Sequence, residues 1–406
     1  MSKPLEGLKV VDLTTFVAAP VCGRLLADLG ARVIKIEHPR GDGWREFGMG
    51  FNARFNDDEN PIFDIYNSGK ELISVNLKSE AGKKIFFEML EDADIFLTNT
   101  RTDALQRLGI SYEDLKDRFP RLIYAMVLGY GETGPEANEQ AFDTSAYWTR
   151  SGFLRDMSPL NECYEPISPP SAVGDTVTGY NLLAQILAAV IGREKTGKGD
   201  FVRAALYHIG IFTHGTMEIA CQKPWGRIFP RDRRTVGPPG GCYRCSDDEW
   251  LFIANGQLSV SLPKMFRMIG RPELCDPEGF LNPKYRTEHS NELYDIFKEA
   301  YASKTIAEWV QLAKEHDLPL VRMNHFSDVT TDEQAWANGY LEYMTCPNGE
   351  TVTMPASPIR MNSVGTIVTT PAPKVGTHTK QVLLEMGYSE EEIDAMNDSG
   401  AIFARK

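Results

Sequence analysis

The sequence predicts an α/β protein: a Rossmann-like large domain, with a parallel sheet covered by helices, joined to a smaller α+β domain. Three observations lead there. From Lys9 to Leu128, short β-branched runs alternate with helical stretches, the pattern of βαβ units. Near Gln222 the character changes, and Gly, Pro and Arg crowd the stretch from Lys223 to Gly241, as in a linker or active-site loop. The chain, at 406 residues, is long enough for two domains, each with its own core. The expected division is a large domain over 1–215, a linker and small domain over 216–331, and a return segment with a C-terminal tail over 332–406.

The elements follow in order. Lys9-Val-Val-Asp-Leu13 reads as a strand, and Pro20 to Leu29 as a helix with proline in its first turn and Gly30 past its end. Arg32-Val-Ile-Lys-Ile36 and Glu71 to Leu77 are strands, the second followed by a helix from Glu80 to Leu90 entered through Ser79. Ile95 to Thr98 and Leu122 to Leu128 are further strands, with a helix between them starting near Ser111. Tyr180 to Ile191 has the length and Ala/Leu content of a buried helix, and Gly197 to Gly199 turn the chain into a strand at Asp200 to Leu206. Beyond the linker come a strand at Trp250 to Ala254 and helices near Pro263–Ile269, Asn291–Ala302 and Ile306–His316. Strands at Thr351–Met354 and Val364–Val368 precede a helical tail, Lys380–Met386 and Glu390–Met396.

Composition excludes several classes. A hydrophobic content of 42% and a charged content of 24% describe an ordinary soluble globular chain. The net charge of −13 argues against a nucleic-acid surface, leaving room for anionic small ligands where Lys and Arg gather. Seven scattered cysteines fit reduced thiols better than a disulfide framework. No apolar stretch reaches membrane-span length, and MSKPLEGLKVVDL lacks the apolar core of a signal peptide. A cytoplasmic protein with no membrane or nucleic-acid partner is expected.

Several motifs are set aside. Gly129-Tyr-Gly-Glu-Thr-Gly134 matches GxGxxG after a strand, but Pro135 follows, Glu132 would face a pyrophosphate, and no apolar helical period comes next. It reads as a sharp loop. The first strand–helix turn, Thr14 to Pro20, has no glycines, so no nicotinamide is expected. Cys242 and Cys245 lack a second pair and would point to opposite faces of a strand, so no metal is expected there. The seven histidines form no HExxH, no GxSxG elbow occurs, and His208 and His214 read as satisfied core histidines.

Asp175, in Ser171-Ala-Val-Gly-Asp175-Thr-Val-Thr-Gly179, falls in the first turn of the apolar helix. Orphan backbone N–H groups and the positive end of the helix dipole would keep it ionised there. Two readings stand side by side. The commoner one is an N-cap. The sharper one is a carboxylate nucleophile next to a glycine that lets substrate approach.

Several blocks taken together resemble the family III CoA-transferases, the group that includes formyl-CoA, carnitine and bile-acid CoA-transferases. They are LEGLKVVDLTTFVAAPVCGRLLADLGARVIKIEHPRGD, Leu72 to Gly82, Thr98 to Gly109, Gly129 to Pro135, Gly174 to Gly179, and Pro371 to His378. The match runs over most of the chain in the family's order. It implies the family fold, an interlocked homodimer, and acyl-CoA and small carboxylic acids as partners, with coenzyme A entering as the acyl-CoA substrate.

The resemblance makes Asp175 the nucleophile, passing through anhydride and aspartyl-CoA thioester intermediates. It carries CoA contacts to Val17, Ala18, His38, Val75, Asn76, Leu77, Lys78, Asn99, Thr100, Arg101 and Arg107. Asp143 becomes an orienting carboxylate, and Gly240-Gly241 resembles the family's mobile glycine cover. Val17 and His38 replace a glutamine and an arginine of the formyl-CoA enzyme, which points to a more apolar acyl group. The α-methylacyl-CoA racemases of the same fold have a histidine base where this chain has Phe142, and phenylalanine cannot move a proton. Asp332 to Leu341 and Asp94 to Arg107 look most like the branch acting on 2-hydroxy acids and 2-enoates in amino-acid fermentation, such as the phenyllactate and 2-hydroxyisocaproate enzymes. Bile-acid or carnitine-type transfer, a racemase-like enzyme and a CoA-binding regulatory protein are the alternatives.

Overall fold

A computed structural model describes residues 2–53, 55–157, 169–223, 225–230, 232, 234 and 237–405. The chain divides into two compact units: Met1–Phe153, Ser168–Ile219 and Glu333–Lys406 form one, Leu154–Ile167 and Ala220–Asp332 the other.

The larger unit is built on six parallel strands: β1 (Lys9–Leu13), β2 (Arg32–Glu37), β3 (Glu71–Val75), β4 (Ile95–Thr98), β5 (Ile123–Leu128) and β6 (Phe201–Ala205). Across the sheet the order is β3, β2, β1, β4, β5, β6, and a short antiparallel strand, Ile402–Phe403, closes the β3 edge. β1 pairs with both β2 and β4, as Val10 with Val33 and with Ile95. The direction of winding therefore reverses between β1 and β4. In open α/β sheets that reversal opens a crevice beyond the carboxyl ends of the strands.

The helices of this unit up to residue 220 are α1 (Ala18–Asp28), α2 (Pro61–Asn67), α3 (Glu80–Leu90), α4 (Thr102–Leu108), α5 (Tyr112–Leu115), α6 (Phe153–Met157, which crosses into the smaller unit), α7 (Val173–Thr196) and α8 (Leu206–Ala220); Glu333–Ala337, Thr379–Glu385 and Glu390–Asp398 are helical in the return segment and tail. Ser79 caps α3 through the N–H of Gly82, and Ser111 with Asp114 forms a capping box on α5. All six residues of β5 are buried, as expected of a strand covered on both faces. The Phe86, Phe96 and Tyr124 rings meet edge to face at 5.2 and 5.0 Å. Each such side chain is worth about 1.5–3 kcal/mol of burial.

The expected strands at Lys9–Leu13 and Ile95–Thr98 have the observed bounds. Helices α2, α4, α6 and α8 were not foreseen. The expected strand at Val364–Val368 is a turn, because Gly365 takes φ +72° and both it and Val364 bond back to Met361 O. His208, expected in the core, is exposed on α8. The run after Gly129 is a loop with no helix, as its sequence implied.

The smaller unit has a three-stranded antiparallel sheet, β7 (Gly241–Arg244), β8 (Trp250–Ile253) and β9 (Leu320–Arg322). Helices α9 (Leu258–Met268), α10 (Pro283–Glu288), α11 (Ser290–Tyr301) and α12 (Ile306–Glu315) belong to it, and its core gathers Phe266, Phe297, Tyr301 and Trp309. Helix α9 starts five residues before the expected Pro263, which lies inside it. No helix among the described residues is long and apolar enough to cross a membrane.

Candidate active site

The crevice beyond β1 and β4 is a cavity of about 580 Å³ in the larger unit. Thr15, Phe16 and Ala18 line it after β1, Asn99 and Arg101 after β4, and Val127, Leu128 and Gly129 at the end of β5. Trp44 and Phe47 come from a 3-10 helix, Gly43–Phe51. Asp143 opens a π-helix, Asp143–Arg150, and Asp175 is in the first turn of α7; both carboxylates reach the cavity.

The capping role that the sequence offered to Asp175 falls to Asp143. Asp143 Oδ1 accepts the N–H of Gly174 at 3.0 Å, so it caps α7 from outside the helix. Ala172, at the N-cap position itself, is left-handed with φ +70° and makes no side-chain cap bond. Asp143 is buried, its carboxyl pushed up to about 6 by burial, which the N–H groups of Gly174, Ala172 and Val173 and the Trp148 indole only partly offset. Its Oδ2 is buried without a hydrogen bond.

Asp175 is half-buried, and its carboxyl is pushed up to about 7, first by burial and then by the charge of Asp143. The expectation that the helix dipole keeps it fully ionised is thus corrected: desolvation and a like charge outweigh the dipole. The sign suits nucleophilic chemistry, because a more basic carboxylate is a better nucleophile once deprotonated.

Gly174 also has a role other than the one expected. A Cβ there would lie 2.2 Å from Tyr147 Cγ and 2.3 Å from Asp143 Oδ1. Glycine is needed so that the π-helix can seat Asp143 against α7. Gly179 does the same for α1, since a Cβ would fall 2.7 Å from Ala18 O.

The cavity wall is aromatic. Phe16 meets Trp44 and Phe142 edge to face at 6.3 and 5.8 Å, and Trp44 stacks on Phe47 at 4.1 Å. Phe142 is 52% exposed. Val17, expected to present apolar surface, is fully buried at the start of α1, and its neighbours Phe16 and Ala18 line the cavity instead.

The remaining expected CoA residues spread along the same carboxyl edge. Asn99 and Arg101 share the cavity with Asp175, and Thr100 lies between them. Val75 ends β3 with its side chain buried; Asn76 Oδ1 accepts the N–H of Lys78, and Leu77 packs on the core. His38 follows β2, its imidazole lowered by desolvation and by the charges of Arg40 and Lys78, which places a cationic group at the ends of β2 and β3. Arg107 is exposed on α4 and ion-paired to Asp103 at 2.7 Å. In the smaller unit, a Cβ on Gly240 would lie 2.3 Å from Asn255 Oδ1, and Gly241 begins β7 at φ +111°.

Tyr66 on α2 was missed by sequence reasoning. Its phenol is pushed up to about 12 by burial and then by the charges of Asp175 and Asp143, and its ring meets Trp44 edge-on at 6.0 Å. Asn60-Pro61, a cap followed by proline at the first helical position, was the available signal for α2. No cluster of metal-ligating residues occurs among the described residues.

A carboxylate pair in an aromatic crevice at the switch point of a parallel sheet marks a candidate site for a small ligand. Comparison with known proteins gives it a family. The model of the CoA-transferase family III matches residues 5–379. The chain belongs to that family and is an enzyme. It is 39% identical to the (R)-2-hydroxy-4-methylpentanoate CoA-transferase of Clostridioides difficile over 98% of this chain and 99% of that one. It is 35% identical to the cinnamoyl-CoA:phenyllactate CoA-transferase of Clostridium sporogenes over 99% and 98%. Among solved structures it is similar to Rv3272 from Mycobacterium tuberculosis, with TM-score 0.80, 28% identity and 93% and 98% coverage. A CAIB/BAIF family protein from Brucella suis gives TM-score 0.77 at 28% identity, covering 95% and 100%.

Proposed function

We propose that the enzyme moves CoA between a 2-hydroxyacyl- or 2-enoyl-CoA and a free acid with an aryl or branched side chain, with Asp175 as the nucleophile. The observation that carries this is Asp175 itself: a carboxylate in the first turn of α7, made more basic by burial and Asp143, at an aromatic-walled cavity. The two relatives named for 2-hydroxy-acid substrates support the substrate class.

A carboxylate oxygen of Asp175 attacks the thioester carbonyl carbon, the C–S bond breaks, and CoA leaves as the thiolate from a mixed anhydride. The thiolate attacks the Asp175 carbonyl carbon, and the donor carboxylate departs from an aspartyl-CoA thioester. The acceptor carboxylate then attacks that carbonyl and expels the thiolate, giving a second mixed anhydride; the thiolate attacks the acceptor's acyl carbon, and the Asp175 carboxylate departs as the new thioester forms. No net proton is required. Asp143 keeps the helix start in place. Ala18, Asn99 and Arg101, with His38 and Lys78 further along the edge, are assigned to CoA; Arg101 and Lys78 supply charge for its phosphates.

We assign CoA binding to the larger unit and a cytoplasmic homodimer to the assembly. The family resemblance and the exposed apolar side chains Phe212, Met217 and Ile219 on α8 support the dimer. A stable monomer by sedimentation at micromolar concentration would count against it.

The test of function is transfer itself. The protein is incubated with one acyl-CoA and a panel of free acids, and new thioesters are identified by mass. Aryl and branched 2-hydroxy acids should form thioesters, and hydroxylamine added during turnover should convert Asp175 to its hydroxamate. Preferred transfer to oxalate or succinate would overturn the substrate class, and modification elsewhere would overturn the nucleophile.

A further inference from the structure

The turn from β1 into α1 is held at three successive residues by three side chains. Lys35 Nζ donates to Thr14 O at 2.7 Å. Asn99 accepts the N–H of Thr15 at 3.0 Å and donates to Thr15 O at 2.7 Å. Asp42 Oδ1 accepts the N–H of Phe16 at 3.1 Å. The same oxygen accepts the N–H of Trp44 at 3.0 Å, while Asp42 Oδ2 takes the Lys35 ammonium at 2.9 Å.

Neither Lys35 nor Asp42 has any exposed side-chain surface, and neither lines the cavity. Behind them Lys70 bonds Asp12 at 3.0 Å and Asn67 at 3.1 Å, and Asp12 accepts from the Thr14 hydroxyl. Buried ion pairs are poor sources of net stability, because desolvation consumes most of the attraction. A buried pair at this position calls for another role.

Phe16 supplies it. This residue is left-handed at φ +62°, a conformation that a non-glycine residue keeps only where its surroundings over-determine it. The backbone bonds at Thr14, Thr15 and Phe16 are that over-determination. They set the Phe16 ring edge-on to Trp44 and Phe142. Trp44 is fixed through Asp42 and through its indole N–H to Ile62 O at 2.8 Å.

We propose that Asp42 is a positioning residue for acyl specificity: through two backbone N–H groups, one buried carboxylate sets both Phe16 and Trp44, the rings that wall the cavity. The wall that these packed rings form meets a flat or branched acyl side chain, and its shape depends on an ion pair that does not line the cavity. This rests on the CoA-transferase reading of the cavity given above.

The test compares phenyllactate with lactate, acceptors that differ by one ring, with a single acyl-CoA donor. Asp42→Asn should lower the kcat/KM ratio of phenyllactate over lactate at least tenfold, with the loss in the phenyllactate KM rather than in kcat. An unchanged ratio, whether or not both activities fall together, overturns the proposal. If Asp42→Asn does not fold, the double variant Lys35→Met with Asp42→Leu, which replaces the pair by apolar side chains, is read in the same way. Failure of both variants to fold makes the pair structural and also overturns it. Absence of exchange by the wild type with every acceptor overturns the proposed function itself. Wild-type exchange without preference for phenyllactate leaves that function standing and overturns this inference alone.

Discussion

The two edges of the parallel sheet are built from similar residues to opposite ends. At the amino edge, a cleft of about 450 Å³ is lined by Lys9, Arg32, Glu88, Asp92 and Glu385. Its charges are matched: Lys9 with Asp92, and Arg32 with Glu71 and Glu385. At the carboxyl edge Asp143 and Asp175 stand together, both with carboxyls pushed up, and Phe16 is held in the left-handed region. One edge has relaxed its electrostatics and the other has not. Unrelieved charge and backbone strain, more than cavity size, mark where chemistry is placed.

The sharpest break in that contrast is Asp175→Asn. Transfer should fall at least about 1,000-fold, since the variant removes the proposed nucleophile. Stability should move the other way. A carboxyl whose folded pKa is raised to about 7 from 3.8 costs the fold stability as pH rises between those values. The variant lacks that cost, so it should be more stable than the wild type above pH 7, on the order of 2 kcal/mol after allowing for partial exposure. The gain should vanish below pH 4. Chemical denaturation at pH 8 and pH 4 reads it, and an equal effect at both would refute the raised pKa.

Next is α7, which carries the proposed nucleophile and holds two glycines of opposite meaning. Gly174→Ala puts a Cβ into Tyr147 and Asp143. It should cost about 1–3 kcal/mol and take most of the transfer activity with it. Gly192→Ala, on the same helix with nothing within 4 Å, should stabilise by up to about 1 kcal/mol. Similar outcomes for the two would mean that the close seating of Asp143 on α7 is not essential.

A smaller effect sharpens the pairing of the two carboxylates. The acid limb of the transfer rate should lie near pH 7 in the wild type, rate rising as Asp175 ionises. Asp143→Asn keeps an oxygen for the Gly174 N–H but removes the charge, so the limb should move to lower pH. A limb unmoved in that variant would locate the shift in burial alone.

Most of the sheet was legible in the sequence because parallel strands buried on both faces read as continuous apolar runs. Asp175 was legible as well, at a helix start beside glycines. Its charge state was not, since burial comes first and then the charge of Asp143, 32 positions earlier, and both arise only in the fold. Phe142 was legible as apolar surface, with Phe16, Phe47 and Trp44 expected nearby, and the fold adds that Phe16 packs edge-on against both Trp44 and Phe142. Tyr66 was missed because α2 spans seven residues, too few for a helical period to show. The Lys35–Asp42 pair left no trace, since lysine in a strand and aspartate before a glycine are ordinary surface patterns.

The smallest expected effect lies at the amino edge and tests the other half of the contrast. Arg32, at the start of β2, makes a two-bond pair with Glu71 at 2.8 Å for each bond, plus a contact to Glu385. Its side chain is 40% exposed, so the attraction is shared with solvent. Arg32→Gln should cost about 0.5–1 kcal/mol at low ionic strength. Most of that difference should disappear near 1 M salt, where the screening length falls to about 3 Å. CoA transfer should be unaffected, because none of the described residues that line this cleft also lines the crevice beyond β1 and β4. Denaturation of both proteins at low and high salt, with transfer assayed in parallel, decides the matter. A tenfold loss of transfer in Arg32→Gln would show that the paired edge is coupled to the strained one, and the two could no longer be treated as separate solutions on a single sheet.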